Sequence, residues 1–397
     1  MIIGGGISAP SLDVRHATIS RLDGMAWAEL KHSPQEINAA GKTFIRMLTQ
    51  DHRSWDIGDS TTYNLAVNVI NNWRACHGYP LNTFQINLRH AARRYDAEPL
   101  IAQRTKRLAS IAGKLSRFPS MKLTQMQDIG GCRAVVKSVA AVRELDTFYA
   151  RVSNMKHGLS SRDDYIASPQ ASGYRGIHLV YRYFSDKKAK EAYNGRKIEM
   201  QIRSRYQHAW ATAVETVGAF VREALKSSSG PEEWLRFFAL MGTVIALREK
   251  TAPVPNTPTN KAELLFELAD YASRLNVESR LRAYGNTLRT IEHGAESNDH
   301  YYLLKLDPDE SRLIVVGFKL YELDKAQDAY AEAEKSVRDK DGTDAVLVSV
   351  DSLAALPRAY PNYFADTRVF LELLKQALAG RQRKVFVGQL NLPMETP

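Results

Sequence analysis

Gln127-Asp128-Ile129-Gly130-Gly131-Cys132-Arg133-Ala134-Val135-Val136 and Lys197-Ile198-Glu199-Met200-Gln201-Ile202-Arg203 decide how this 397-residue chain reads. In the second stretch, alternation puts Glu199, Gln201 and Arg203 on one face of a strand and Ile198, Met200 and Ile202 on the other. In the first, Cys132 to Val136 is a β-prone run, and Asp128 lies just before it, where a strand edge opens onto a cleft. Two acids presented by neighbouring strands suit Mg²⁺, a hard cation that takes few carboxylates and completes its shell with water and phosphate.

The residues before Asp128 supply the opposite charge. From Arg89 to Lys122 there are nine Lys/Arg against two Asp/Glu. Gln103 to Lys114 reads as a helix with Lys106, Arg107, Ser110 and Lys114 on one narrow face and Arg104 beside it. Ile101, Leu108, Ile111 and Leu115 fill the other side, the one to be buried. A lone basic helix is most often a solvated face. This one leads straight into the Asp128 strand, so cations and carboxylates converge.

Taken in order, Arg104-x-Lys106-x₃-Ser110-x₃-Lys114, Gln-Asp128-Ile-Gly-Gly-Cys-Arg133, Asp164-Tyr-Ile, Gly173-Tyr174-Arg-Gly-Ile-His178, Ile-Glu199-Met-Gln-Ile-Arg203 and Gln207-His-Ala-Trp210 resemble the RelA/SpoT nucleotide pyrophosphokinase family. The resemblance covers roughly residues 60 to 225. It implies an α+β fold, with a mixed β-sheet synthetase core flanked by helices. It also implies a reaction in which ATP donates pyrophosphate and a ribose 3′-hydroxyl attacks its β-phosphorus. By family position, Asp128 holds Mg²⁺, and Glu199 shares the metal and acts as base towards the 3′-hydroxyl. Arg104, Lys106, Ser110, Lys114 and Arg133 bind ATP, with Arg104 able to stack on adenine and Arg143 as a second adenine clamp. Tyr174 stacks on the acceptor base, and Gly173 gives its loop freedom. His178, Gln201 and Arg203 contact acceptor phosphate or order the site, and Trp210 reads as core.

Composition agrees with this. A net charge of +10 suits polyanionic partners, nucleotides or RNA. Cys76 and Cys132 provide neither a disulfide framework nor a zinc site. The opening Met-Ile-Ile-Gly-Gly-Gly lacks the basic start and long apolar core of a signal peptide, and no run is long enough to span a membrane, so a cytoplasmic location is expected.

Residues 1–95 read as a helical region packing on the core, with helices around Ala26 to Leu30, Ile37 to Thr49 and Tyr63 to Cys76. This is too short for the separate hydrolase domain of long family members. The core is expected over 96–250, including a helix from Trp234 to Lys250. A proline-containing linker and a long helix from Lys261 to Glu292 are expected in 251–295. Residues 296–397 read as a small α/β module: a hairpin of His300 to Leu306 and Arg312 to Phe318, a helix from Leu323 to Arg338, a strand from Ala345 to Val350 and a helix from Thr367 to Leu378.

This tail carries Tyr360-Pro-Asn-Tyr363, in which a turn around proline presents two rings together. On an arbitrary protein such rings would pin a loop to a core. The order of synthetase core, helical linker and zinc-free α/β module bearing Tyr-x-x-Tyr is, however, similar to the CapRel-type fused toxin–antitoxin proteins. That resemblance implies a pseudo-zinc-finger-like tail in which Tyr360 and Tyr363 block the adenine site until a phage structural protein displaces them. Three readings stay open: a toxic enzyme that pyrophosphorylates the tRNA 3′-CCA end in anti-phage defence; an alarmone synthetase using free GTP, GDP or adenosine nucleotides; and an inactive nucleotide or RNA sensor. Intact Asp128 and Glu199 argue against the last.

Overall fold

The computed structural model describes residues 27–50, 54–220, 232–287, 290–296, 298–307, 310, 312–337, 343–350, 352–364 and 366–389. The opening glycine-rich residues lie outside these. Among the described residues three helices come first: α1 (Pro34–Leu48), α2 (Ile57–Ala75) and α3 (Gly78–Ala92). Reciprocal capping boxes, Ser33 with Glu36 and Asp56 with Asp59, fix the starts of α1 and α2. Residues 27–30, expected to be helical, are irregular and deliver Trp27 into the core.

The described strands form one mixed sheet in the order β3-β4-β5-β2-β1-β9-β7-β8-β6. They are β1 (Leu100–Thr105), β2 (Gly130–Val136), β3 (Gly158–Asp164), β4 (Ile177–Arg182), β5 (Lys197–Ser204), β6 (Thr290–Gly294), β7 (Tyr301–Asp307), β8 (Arg312–Phe318) and β9 (Asp344–Val350). Between them run α4 (Leu108–Arg117), α5 (Val139–Thr147), α6 (Arg205–Phe220), α7 (Glu232–Glu249), α8 (Lys261–Arg274), α9 (Val277–Thr287), α10 (Leu323–Val337), the short α11 (Leu356–Ala359) and α12 (Arg368–Gln389). The fold is thus α+β, as expected. No helix among the described residues is long and apolar enough to cross a membrane.

Two expected helices differ. Gln103 to Thr105 extend β1, and the helix begins only at Leu108. Gln103 and Arg104 are hydrogen-bonded on both edges, to β2 and to β9, Thr105 pairs with β2, and these ladders outweigh a local helical pattern. The long helix expected over 261–292 breaks after Leu275, where Asn276 turns the chain at φ 47, and the segment ends as β6, paired parallel to β8. Asn tolerates that left-handed step better than most residues.

Alternation gives the sheet two faces. The back face carries Ile101, Cys132, Ala134, Ile177, Leu179, Ile198, Met200, Tyr301 and Leu347, covered by α3, α5 and α10. On the front, the β7–β9 half forms a second apolar cluster with Ala102, Tyr360 and Tyr363. The β1–β5 half is polar, and there α6 lies beside the site described below. Helices α6, α7, α8, α9 and α12 pack as a separate cluster around Trp210, Phe237, Phe238 and Phe370. α1, α2 and α4 enclose another, with Met126 and Ile129.

Phe370 ties the last helix to this frame: it is fully buried, its ring 5.8 Å from Phe238 and 6.2 Å from Phe237. Phe370→Ala is expected to destabilise the protein by about 3–5 kcal/mol, read as a lower urea midpoint. An unchanged midpoint would show that α12 does not share the cooperative core.

Candidate active site

Register brings the acids together. Gly131 of β2 lies opposite Glu199 of β5 in the parallel ladder, and Asp128 is just outside the β2 start. β1 ends at the same edge, with Thr105 opposite Gly130. Lys106 follows; its amide donates to the Ile129 carbonyl at 2.8 Å and its Nζ to Asp128 Oδ2 at 2.6 Å. From α4, Lys114 Nζ donates to Asp128 Oδ1 at 3.0 Å. Ser110 stands one turn earlier on that helix. Burial works against the Asp128 charge, but the two ammonium groups win and its pKa falls to about 2. Burial also holds Lys106 below its ordinary value, against the pull of Asp128.

Glu199 belongs to a closed ring of hydrogen bonds. His178 of β4 places Nδ1 3.0 Å from Glu199 Oε1, and its Nε2 lies 2.5 Å from the Tyr174 hydroxyl. Arg203 Nη2 donates to that hydroxyl at 2.8 Å and also to Gln201 Oε1. Gln201 Nε2 closes the ring on Glu199 Oε2 at 2.6 Å. Burial works against the His178 imidazolium, but Tyr174 and Glu199 favour it, and its pKa is pushed up to about 9. Burial likewise opposes ionisation of the Tyr174 hydroxyl, yet Arg203 and His178 hold it below the usual phenol value.

Tyr174, expected to face an acceptor base, is therefore buried, with Arg203 5.0 Å from its ring centre. Gly173, expected to be a loose hinge, is tightly packed: at φ 97, an added Cβ would sit 2.8 Å from the Phe238 carbonyl and 2.9 Å from Trp210. Trp210 is core, its Nε1 donating to Phe238 O at 2.9 Å.

Arg104 and Arg133 share the front face, since Ala102 pairs with Arg133 and Arg104 with Gly131. The tail reaches them. The Tyr360 hydroxyl donates to the Gln103 carbonyl at 2.8 Å, the Arg133 guanidinium lies 5.5 Å from its ring centre, and Arg133 Nη2 also donates to the Ala359 carbonyl. Burial, then repulsion from Arg203, pushes Arg133 down to about 10. The Tyr363 hydroxyl donates to Asp344 at 2.6 Å, and Asp344 pairs with Arg107. Arg143 is not brought to this group. It sits on α5 behind the sheet and pairs with Asp164.

Three further carboxylates escaped the sequence reading. Asp344 is one. Glu334 of α10 accepts from Arg74 Nη1 at 2.6 Å, from the Leu108 amide at 2.9 Å and from the Tyr330 hydroxyl at 2.9 Å. It thus caps α4 from the tail. Its sequence context, an Ala/Glu-rich helix, reads as solvated. Glu215 of α6 acts electrostatically on Arg104, Arg133, Tyr360 and Tyr363.

No group of three or more His, Cys, Asp or Glu among the described residues could hold a metal. Asp128 and Glu199 are close enough for their charges to interact. Two carboxylates fit Mg²⁺, which draws most of its oxygens from water and phosphate. Their oxygens are now taken up by Lys106, Lys114, His178 and Gln201, so a metal fits once those partners are drawn aside.

The His178–Glu199 pair has a pH signature. Unfolded histidine titrates near about 6.5. The stability contributed by the folded imidazolium is therefore complete below about pH 6.5 and lost as pH rises through about 9. By NMR, His178 is expected to stay protonated at about pH 7.5 in the native protein and to titrate at a lower pH in Glu199→Gln, where Tyr174 remains to favour the imidazolium but Glu199 does not. Titration near 6.5 in both proteins would refute the pairing.

Residues 103–218 match the family described as a region found in RelA and SpoT proteins. The GTP pyrophosphokinase YjbM of Bacillus subtilis is 33% identical over 120 residues, 28% of this chain. The chain spans about half, 52%, of that relative's length. Among solved structures, small alarmone synthetase 2 of Bacillus subtilis is 17% identical, covering 45% of this chain and 93% of its own, with a TM-score of 0.37. A GTP pyrophosphokinase family protein of Streptococcus pneumoniae is 26% identical, covering 43% of this chain and 83% of its own, with a TM-score of 0.34. Residues 103–218, which hold Arg104, Lys106, Lys114, Asp128, Arg133, Tyr174, His178, Glu199 and Arg203, thus match a region found in RelA and SpoT proteins.

Proposed function

We propose that this chain transfers pyrophosphate from ATP to the ribose 3′-hydroxyl at the CCA end of tRNA, and that its tail restrains this activity. The observation that carries the transfer is the clamp of Lys106 and Lys114 on Asp128 beside Glu199. Pyrophosphoryl transfer needs positioning and charge neutralisation more than covalent chemistry. The triphosphate draws Lys106 and Lys114 off Asp128, which frees Asp128 and Glu199 to hold Mg²⁺. When bound, the cation offsets the charge of the phosphate oxygens. Glu199, oriented by His178 and Gln201, takes the proton of the 3′-hydroxyl. The bond from that oxygen to the β-phosphorus forms as the α–β bridge breaks, and AMP leaves.

Arg104 and Arg133, which share the front face, would hold adenine between their planar guanidinium groups, a task that Arg143, paired with Asp164 behind the sheet, does not share. Tyr360 takes that place in the docked tail, which supports autoinhibition. Tyr174 meets the acceptor base once its hydroxyl leaves Arg203 and His178. A phage structural protein that prefers the undocked tail releases the enzyme by linkage. The cytoplasm, where ATP and tRNA are found, is the setting this requires. The curated relative's name favours a second reading, in which GTP or GDP is the acceptor.

Purified protein incubated with β-labelled ATP and either bulk tRNA or GTP separates these readings. Tyr360→Ala is expected to raise labelling of tRNA about 5- to 30-fold, as loss of one buried ring shifts the docked balance by about 1–2 kcal/mol. Asp128→Asn or Glu199→Gln added to it should lower labelling by at least about 10²-fold. Label appearing on GTP and never on tRNA would establish the second reading. Full activity of the Glu199→Gln protein would sink the site.

A further inference from the structure

Beyond Glu199 the β4–β5 hairpin runs outward with a strong positive charge. Residues 182–197 hold six Lys/Arg against two Asp/Glu. One of those acids, Asp186, is neutralised by Lys156 at 2.6 Å. Arg182 and Lys197 are directly opposite each other in the antiparallel ladder, two residue pairs outside the Val180–Glu199 pair. Like charges placed so oppose each other and destabilise the pair. Neither side chain has a hydrogen-bond or ion-pair partner among the described residues. Both lie on the face of Glu199, and Lys197 is two residues, about 7 Å, further along the strand. An anion bridging the two cations removes their repulsion.

The charge continues past this pair. Lys187 and Lys188 are exposed near the hairpin tip, and Lys190 lies 4.5 Å from the Tyr79 ring centre. Tyr183 is buried in the back-face cluster, while its neighbour Phe184 is 50% exposed. A short row of cations with an exposed aromatic ring beside it is the combination that holds single-stranded nucleic acid, with phosphates on the cations and a base on the ring. A mononucleotide whose 3′-hydroxyl sits at Glu199 is too short to reach the hairpin tip. A polynucleotide is long enough.

We infer that the β4–β5 hairpin is an RNA-backbone track: Arg182 and Lys197 hold the phosphate next to the acceptor nucleotide, and Lys187, Lys188 and Phe184 hold the strand behind it. The track rests on the reading of tRNA as acceptor and makes the hairpin the element that selects RNA over free nucleotides. It stands clear of the Tyr360 contacts, so the full-length protein can use it with its tail docked.

Binding of fluorescent deacylated tRNA to the full-length protein tests this between about 50 and 200 mM salt. Arg182→Gln with Lys197→Gln, and separately Lys187→Gln with Lys188→Gln, should each weaken binding about tenfold. Each pair should also lower the slope of log affinity against log salt by about 1.4, the release expected for two single-strand phosphate contacts. Binding of a fluorescent ATP analogue to the same variants in the Tyr360→Ala background should be unchanged, which also reports a native fold. Unaltered tRNA affinity and slope in both double variants would overturn the track while leaving tRNA as the acceptor. A native protein that binds no tRNA yet labels GTP would overturn both.

Discussion

Strand β1 is hydrogen-bonded along both edges, and the rest of the molecule depends on that double pairing. On one side six of its residues pair with β2, which carries Arg133 and begins beside Asp128; on the other, Ala102, Gln103 and Arg104 pair with β9. Through β1 the strands that hold the site and the strands of the tail become one sheet. The link to β9 is only three residue pairs long, so it cannot hold the tail by backbone bonds alone. Burial does the rest: Ala102 joins the apolar cluster of β7, β8 and β9, and Tyr360 and Tyr363 close over it. Arg104 extends from the shared strand beside these rings, so the tail meets the front face of the core by construction.

The polar half of the front face obeys a second constraint, that buried charges must be paired. Asp128, Glu199, His178, Arg203 and Arg133 are all substantially removed from water, and leaving any one unpaired would cost several kcal/mol. Each has an internal partner: lysines for Asp128, His178 and Gln201 for Glu199, Tyr174 for Arg203, and the Ala359 carbonyl with the Tyr360 ring for Arg133. Arg175 departs from this pattern. It is fully buried, and none of its guanidinium nitrogens has a hydrogen-bond partner among the described residues. Glu249 supplies charge compensation without direct contact.

Much of this was legible in the sequence because it lies in short-range patterns. The alternation of Lys197 to Arg203 placed Glu199 and Gln201 on one face, and the β-prone run after Asp128 became β2. Of the basic residues before Asp128, Lys106 and Lys114 did converge on it, while Arg107 turned to Asp344. What failed was context that the local pattern lacks. Gln103 to Thr105 carry a helical pattern, and only pairing partners more than 20 and more than 200 residues away make them a strand. Arg143 has the composition of a ligand but sits on a helix behind the sheet, a fact set by chain crossover and invisible in spacing. Glu334 looks solvated in an Ala/Glu helix, yet docking of α10 buries it against Arg74 and the start of α4. The tyrosine pair was readable as a motif; its seat on Arg133 and Gln103 was not.

Substrate binding at such a site is an exchange of partners, and this sets the energy scale of its control. On the proposed reading, a triphosphate reaching Lys106 and Lys114 would displace Asp128, and a base held by Arg133 would displace Tyr360. Each new contact replaces one of similar kind, so the net gain per exchange is the difference between two hydrogen bonds, on the order of 1 kcal/mol. The tail's hold on the core is larger than any one such exchange, because the tail also shares apolar clusters with the core through β7, β9, α10 and α12. On the reading of the tail as a restraint, a ligand would open it only through a strong preference for the undocked state. The β1–β9 ladder, three residue pairs long, sets the register of the tail on the core.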